Sequence, residues 1–439
     1  MSETHSKLDI ARLSLIGNLS IFMIGLGFAV RATIAPDLQS DIYDHIDLAN
    51  SATMLGEALG ITFTGFALTL LFGSALVDMV GMKRMLLLAA CGYVLGSVLI
   101  FTAAIMPVSD TVTTLIMTGL LLTGLGWGAV EAASNPMVAA LYPDDKTHRL
   151  NILHAWWPAG IVVGGLLGVV FSRTDIAWEI NLLVLLLPAL VMAGLVYSTE
   201  FPETERVASG VSYGGMFTEL LKQPMFWLFW LCMWATAASE LAPGQWVNLA
   251  LSNIVGMEGI LLLVYVSALM FVMRHFAGPV ARRLSAVGLL WMSALFAAAG
   301  LYFLSIADST FSAFAAATVW GIGVCYMWPT MLATVSERFP KGGALMMGLM
   351  GFAGGMAIQF LLPQMGAIFD KAKIQAAGGV EALSTLSGPE LDEVLRYASV
   401  ESFQLVAVVP LLLLPVFGAI WFFDRRRSAE PHAVAIRDD

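Results

Sequence analysis

Arg31, Glu131, His154, Glu240 and Arg274 fall inside stretches that are otherwise almost wholly apolar. Ionisable groups in such surroundings are costly, and they mark function by default. Glu131 stands out. A carboxyl group held away from water favours its neutral form, and water or a nearby cation reverses that. Such a group can take up a proton and release it. Arg31 stays protonated in practice and is the expected partner that would keep Glu131 ionised. The alternative is an arginine that snorkels to the surface. Asn151 and His154 lie one turn apart on one helical face. His154 titrates near neutrality and could relay a proton or bond a hydroxyl; the pair could equally tie two helices together.

A second group surrounds Pro243-Gly244, namely Glu240, Gln245, Trp246 and Asn248. Amide side chains both donate and accept, which suits a solute rich in hydroxyls. Aromatic faces suit the apolar side of a pyranose ring. The Pro-Gly step predicts a broken helix at this point. Asn135, Trp157, Tyr326, Trp328 and Gln359 are further candidates for the walls of a cavity, and Arg274 for its inner half or a gate. Trp227, Trp230 and Trp234 read as interface or packing residues. Cys91, Cys232 and Cys325 all lie in apolar segments and read as packing residues. No His-Glu-x-x-His zinc motif and no Gly-Lys-Ser/Thr phosphate loop occurs, so neither a cofactor nor direct nucleotide drive is expected. Gly210-Val-Ser212-Tyr-Gly214 spells a nucleophile elbow, but no strand precedes it, and it reads as chance.

The elements that hold these residues are membrane helices. The chain has 439 residues, 58% hydrophobic and 12% charged, with a mean hydropathy of +0.81; a soluble domain carries about 25% charged residues. A span needs about 20 apolar residues. Twelve are predicted: 13–37, 52–79, 84–106, 111–142, 150–172, 179–199, 225–254, 258–283, 285–307, 309–337, 342–369 and 402–424. The first reads as an uncleaved helix rather than a signal peptide. Residues 200–224 are polar and central, a linker between an N-terminal bundle (1–199) and a C-terminal bundle (225–424), with a tail at 425–439. The net charge of −10 shows no block suited to nucleic acid. Alternate loops concentrate Lys and Arg, including Lys83, Arg84, Lys146, Arg149, Arg206, Arg282, Arg283 and Arg425 to Arg427, while the others hold only Arg173, Lys371, Lys373 and Arg396. That asymmetry places both termini in the cytoplasm. The loop 371–400 is expected outside, with a short surface helix over its acidic stretch.

The two halves repeat weakly. Ser74-Ala-Leu76-Val-Asp78 matches Gly278-Pro-Val280-Ala-Arg282 at an offset of 204 residues (278 − 74), and Gly124-Leu-Gly126 with Asn135-Pro136 matches Gly321-Ile-Gly323 with Trp328-Pro329. Glycines spaced four apart (Gly160, Gly164, Gly168; Gly351, Gly355; Gly124, Gly128) mark close helix approaches. These are either static contacts or sliding faces.

The stretch Ser74-x-Leu76-x-Asp78-x-x-Gly81-x-Lys83-Arg84 resembles the loop signature of the major facilitator superfamily, with Ser74, Met79 and Met82 departing from it. Within that superfamily, Glu131-Ala-Ala-Ser-Asn135-Pro136, then Arg149-Leu-Asn151-Ile-Leu-His154 and Gly160, resemble the fucose–galactose–glucose:proton symporters, as do Pro329-Thr-Met and the glycine-rich eleventh helix. The helix-one carboxylate of the fucose carriers is absent, since Ala32 beside Arg31 stands there. Another carboxylate would have to carry the proton.

The resemblance implies an all-α membrane protein of twelve helices in two six-helix bundles, and a secondary transporter rather than an enzyme. It implies alternating access, proton-coupled uptake of a hexose or related polyhydroxylated solute, and a bacterial inner-membrane location as a monomer in the lipid bilayer. Asp78, with Lys83 and Arg84, is expected to close the cytoplasmic side, Asp78 against the N-terminus of the eleventh helix. Efflux of an amphipathic compound, suited by 24 methionines, and a membrane sensor or transceptor are the competing readings.

Overall fold

The computed structural model describes residues 8–174, 176–208, 210–255 and 258–435, and among them there is no strand. Hydrocarbon offers no water to satisfy backbone N–H and C=O groups, so an apolar chain meets that demand by coiling into helices. The first half contains α1 (Ile10–Leu38), α2 (Ser51–Val80), α3 (Met82–Ala104), α4 (Asp110–Leu141), α5 (Lys146–Arg173) and α6 (Leu186–Tyr197). The second half contains α7 (Pro224–Val255), α8 (Gly259–Arg274, then Ala277–Leu284), α9 (Ala286–Ser305), α10 (Thr310–Val324, then Met327–Arg338), α11 (Gly343–Ala377) and α12 (Pro389–Val408, then Leu413–Ala435). Among the described residues, eleven helices are long and apolar enough to cross a membrane, and twelve when α8, bent by 70° after Arg274, is counted as one. Large apolar side chains such as Phe72, Leu88, Leu187, Leu190 and Phe311 are exposed on the outside of the bundle, as a lipid-facing surface requires.

Several boundaries differ from the sequence expectation. α1 does not end at the acidic segment; a π-helical turn (Gln39–Tyr43) and a short helix (Asp44–Asp47) continue it. α11 runs on to Ala377, and α12 begins at Pro389 rather than near 402. The stretch expected to be a surface loop is therefore mostly helix belonging to these two elements.

The expected break at Pro243-Gly244 is absent, and α7 is one helix through it. Proline at 243 leaves the Ser239 carbonyl without its usual donor four residues on. The indole N–H of Trp320 supplies that bond at 3.1 Å, so the helix need not open. The breaks fall instead in α8, at Arg274, and in α10, at Cys325-Tyr326.

The internal repeat is visible in the backbone. Gly81, which starts α3, has φ 86°, and Ser285, which starts α9, has φ 65°. They are separated by the same 204 residues (285 − 81). Both halves thus turn between their second and third helices through a left-handed residue, and Ser285 alone among the described non-glycine residues has positive φ.

The glycine ladders divide into two kinds. A Cβ on Gly160 would lie 2.1 Å from the Phe22 carbonyl of α1, and one on Gly124 would lie 2.0 Å from the Thr62 carbonyl of α2. Those contacts stay within the first half. A Cβ on Gly348 would lie 2.1 Å from Ser74 Oγ, and one on Gly351 2.4 Å from the Leu70 side chain. Those contacts join α11 to α2 across the halves. The halves also meet where α5 packs on α8 and α1 on α7.

The candidate site between the halves

The core of the site hangs from prolines. Pro158 in α5 strands the carbonyl of His154, and Pro329 in α10 strands that of Cys325. Both carbonyls accept from a single side chain. Arg274 Nη1 donates to His154 O at 2.7 Å and Nε to Cys325 O at 2.7 Å. Its remaining donor, Nη2, holds Glu240 Oε1 at 2.8 Å. Glu240 Oε2 in turn accepts from the Trp328 backbone N–H at 3.2 Å. Arg274 is 1% exposed, and its planar fork matches three fixed acceptors in a way that an ammonium group could not. It ties α5 of the first half to α7, α8 and α10 of the second.

Glu131 continues the network. Its Oε2 accepts from Asn135 Nδ2 at 2.6 Å, and the Asn135 Oδ1 lies 3.0 Å from His154 Nε2. That arrangement puts the proton of the neutral imidazole on Nε2. The same nitrogen lies 3.9 Å from Glu131 Oε2. Asn151, fully buried, lies one turn before His154. The expected Glu131–Arg31 pair is not formed. Arg31 Nε donates instead to Gln245 Oε1 of α7 at 3.3 Å, and its guanidinium carbon stands 5.5 Å from the Trp127 ring. Gln245 is itself fixed by donating to Phe28 O at 3.0 Å. Trp157 bridges the two clusters, edge-on to Phe28 at 5.1 Å and beneath the Arg274 guanidinium at 5.8 Å.

Glu131, Asn135 and Ser74 border a small pocket closed on its other side by Leu332, Met347 and Gly348 of the second half. A water centre can range over ≈ 10 Å³ there, which is room for about one molecule. The site is therefore shut in this conformation, and both ends show why. On the linker side, Asp78 accepts from Thr204 Oγ1 and Arg206 Nε, and Lys146 pairs with Glu205 at 2.8 Å. The expected contact of Asp78 with the start of α11 is replaced: Arg206 lies against Gly343 there, and its charge-assisted bond outcompetes a helix end. Lys83 lies over the Tyr197 ring and Arg84 is exposed.

The far side is closed by Lys373, read from sequence as a loop charge, and Asp370, which the sequence reading did not single out. Asp370 of α11 accepts from Thr53 N at 2.8 Å, Thr53 Oγ1 at 2.7 Å and Ala52 N at 3.3 Å. Asn50, the residue at the cap position of α2, makes no side-chain cap bond. An acid from the other half thus caps α2, where the helix dipole favours it. Lys373 pairs with Asp370 at 2.9 Å and donates to Leu48 O at 3.1 Å and Ser51 Oγ at 3.2 Å.

A family model described as Major Facilitator Superfamily matches residues 18–363. The chain belongs to that superfamily. It is a membrane transporter, not an enzyme. Its fold is that of solved carriers at low identity. A D-xylose-proton symporter is 14% identical over 89% of this chain and 96% of that one, with a TM-score of 0.70. The E. coli fucose:proton symporter is 17% identical over 92% and 98%, at 0.59. The human organic anion transporter is 13% identical over 93% and 99%, at 0.67.

Of the candidate residues, this transporter gathers Glu131, Asn135, Asn151, His154, Trp157, Glu240, Arg274 and Trp328 around one network, and Arg31 with Gln245 beside it. Tyr326 donates to Met273 O at 2.8 Å within the second half. Gln359 is held by Thr64 Oγ1 at 2.6 Å in the α2–α11 seam. Trp246 is fully buried against Phe369 and Ser402, away from the network. The Asn248 side chain lies outside the described residues. Trp127 was missed, although it lies one turn before Glu131 on the same face of α4, a spacing that was available.

Proposed function

We propose that this transporter works by alternating access and couples inward proton movement to uptake of a polyhydroxylated solute of sugar size, across a bacterial inner membrane with both termini in the cytoplasm. The observation that carries this reading is Glu131. It is 6% exposed, has no Lys or Arg within ion-pair distance among the described residues, and borders a closed pocket between the halves. Its bonds run through Asn135 and His154 to a guanidinium that contacts both halves. A change in its protonation would therefore alter contacts on which closure of the halves depends, which is what a two-state carrier needs. Trp127, Trp157, Trp328 and the Gln245 amide are buried around the same network, and side chains of these kinds suit a sugar ring.

The test is uptake of a panel of labelled sugars and sugar derivatives into proteoliposomes, with and without an inward pH gradient. The proposal expects a gradient to drive accumulation of at least one member. Equal uptake with and without the gradient, for every member that moves, would remove the coupling.

A further inference from the structure

Arg31 is 5% exposed, yet it forms no ion pair among the described residues. The other buried cations do: Arg274 holds Glu240, and Lys373 holds Asp370. Arg31 has one amide acceptor, Gln245, and its Nη2 donates to nothing. The Trp127 indole beside it is 4% exposed, and its N–H also lacks an acceptor. Two buried donors without acceptors, one of them charged, therefore sit side by side where the halves meet. A buried charge is tolerated when it is paired, and a guanidinium fork is shaped for a carboxylate.

We infer that the transported solute carries a carboxylate, as a sugar acid does, and that Arg31 with the Trp127 N–H receives it. This deepens the carrier reading above and rests on it. Because Gln245 belongs to α7, a solute on Arg31 would touch both halves. Trp127 lies one turn from Glu131 along α4. The groups that face Glu131 are Asn135 on its own helix, His154 on α5, and, within electrostatic reach, Tyr93 on α3 and Arg274 on α8.

Charge balance then supplies the coupling. With the Arg274–Glu240 pair neutral, the empty site holds Arg31 positive and Glu131 negative. The loaded site holds the solute carboxylate on Arg31 and a proton on Glu131. Both states have zero net charge. Solute alone leaves a buried negative charge, and a proton alone leaves a positive one, so neither half-loaded state crosses easily. One anion and one proton enter together, and the cycle moves no net charge.

The test uses the full chain in proteoliposomes, with D-glucuronate, D-galacturonate and D-gluconate set against D-glucose, D-galactose and D-glucitol. The expectation is counterflow of an acid, inhibited by that acid at a concentration at least tenfold below its neutral counterpart. Uptake should be driven by a pH gradient without current on a supported membrane. Arg31→Gln should weaken the acid at least 100-fold, and Arg31→Lys should restore part of that. Trp127→Phe, which leaves a smaller ring without the N–H, should weaken the acid about fivefold more than it weakens its neutral counterpart. Transport of neutral sugars with the acids excluded overturns this inference and leaves the carrier reading standing. Failure of every acid and every neutral member to move, with or without a gradient, removes both.

Discussion

Replacing Arg274 by methionine tests whether one side chain holds the site together. The guanidinium is 1% exposed and donates to the Cys325 and His154 carbonyls and to Glu240. Its removal leaves Glu240 buried without a counter-charge, a loss of about 3–5 kcal/mol. It also leaves two proline-freed carbonyls unpaired, at about 1–3 kcal/mol each. Glu240→Met alone strands the cation instead, for about 3–5 kcal/mol. The double variant has no charge left; the two carbonyls remain unsatisfied, and so does the Trp328 N–H that Glu240 accepted from, at about 1–3 kcal/mol. Set against the about 3–5 kcal/mol of the stranded charge, the double variant should be more stable than Arg274→Met by about 2 kcal/mol. At about 2–4 °C per kcal/mol for a cooperative unit of roughly 200 residues, the second substitution should raise the midpoint of thermal unfolding by roughly 4–8 °C over the single variant. Tryptophan fluorescence in detergent, recorded for all four proteins of the cycle, measures this. A double variant that loses the sum of the two single losses would show that Arg274 and Glu240 act independently, and the reasoning would fail.

Four further outcomes follow from the structure. Asp370→Ala removes three bonds to the start of α2 from a helix of the other half, so a cysteine at Thr53 should react with an impermeant maleimide several-fold faster; an unchanged rate would deny Asp370 a role in closing that side. Gly348→Val should hold the halves apart on the linker side, because its Cβ would meet Ser74 at 2.1 Å, giving normal binding but transport reduced at least tenfold. Gly160→Val meets the Phe22 carbonyl within one half and should instead lower yield and thermal stability, and swapped phenotypes would refute the division of the glycine ladders. Gly81→Ala places a Cβ on a residue with φ 86° and nothing within 4 Å, so it should cost only the conformational strain of about 1–2 kcal/mol. A midpoint equal to that of the unmodified protein would show that the turn relaxes.

Much of this was legible in the sequence because it is local. Glu131, Asn135, Asn151 and His154 lie on two helices at turn spacing, and apolar surroundings singled them out. The 204-residue repeat was legible too, but Ser285 gives no hint of its left-handed backbone, since serine has no preference for it. Partner choice was not legible. Arg31 and Glu131 were expected to pair because opposite charges in lipid attract, yet Arg274 and Glu240 took each other, and Arg31 was left with an amide. The α7 break was expected from Pro243-Gly244; Trp320, from another helix, supplies the missing bond. Lys373 looked like a loop charge, and Asp370 went unnoticed, because nothing local shows that α11 continues past them into a contact with α2. The glycine spacing of α5 and α11 is the same, and only the neighbour across each ladder distinguishes a contact within one half from a contact between the halves.

The central claim is that Glu131 carries the coupled proton. Its most direct test is simultaneous recording of solute entry and lumenal pH in proteoliposomes containing Glu131→Gln. The account predicts solute counterflow within a few-fold of the unmodified protein, no accumulation under a pH gradient and no solute-dependent acidification. Acidification that still accompanies solute entry in this variant would contradict it.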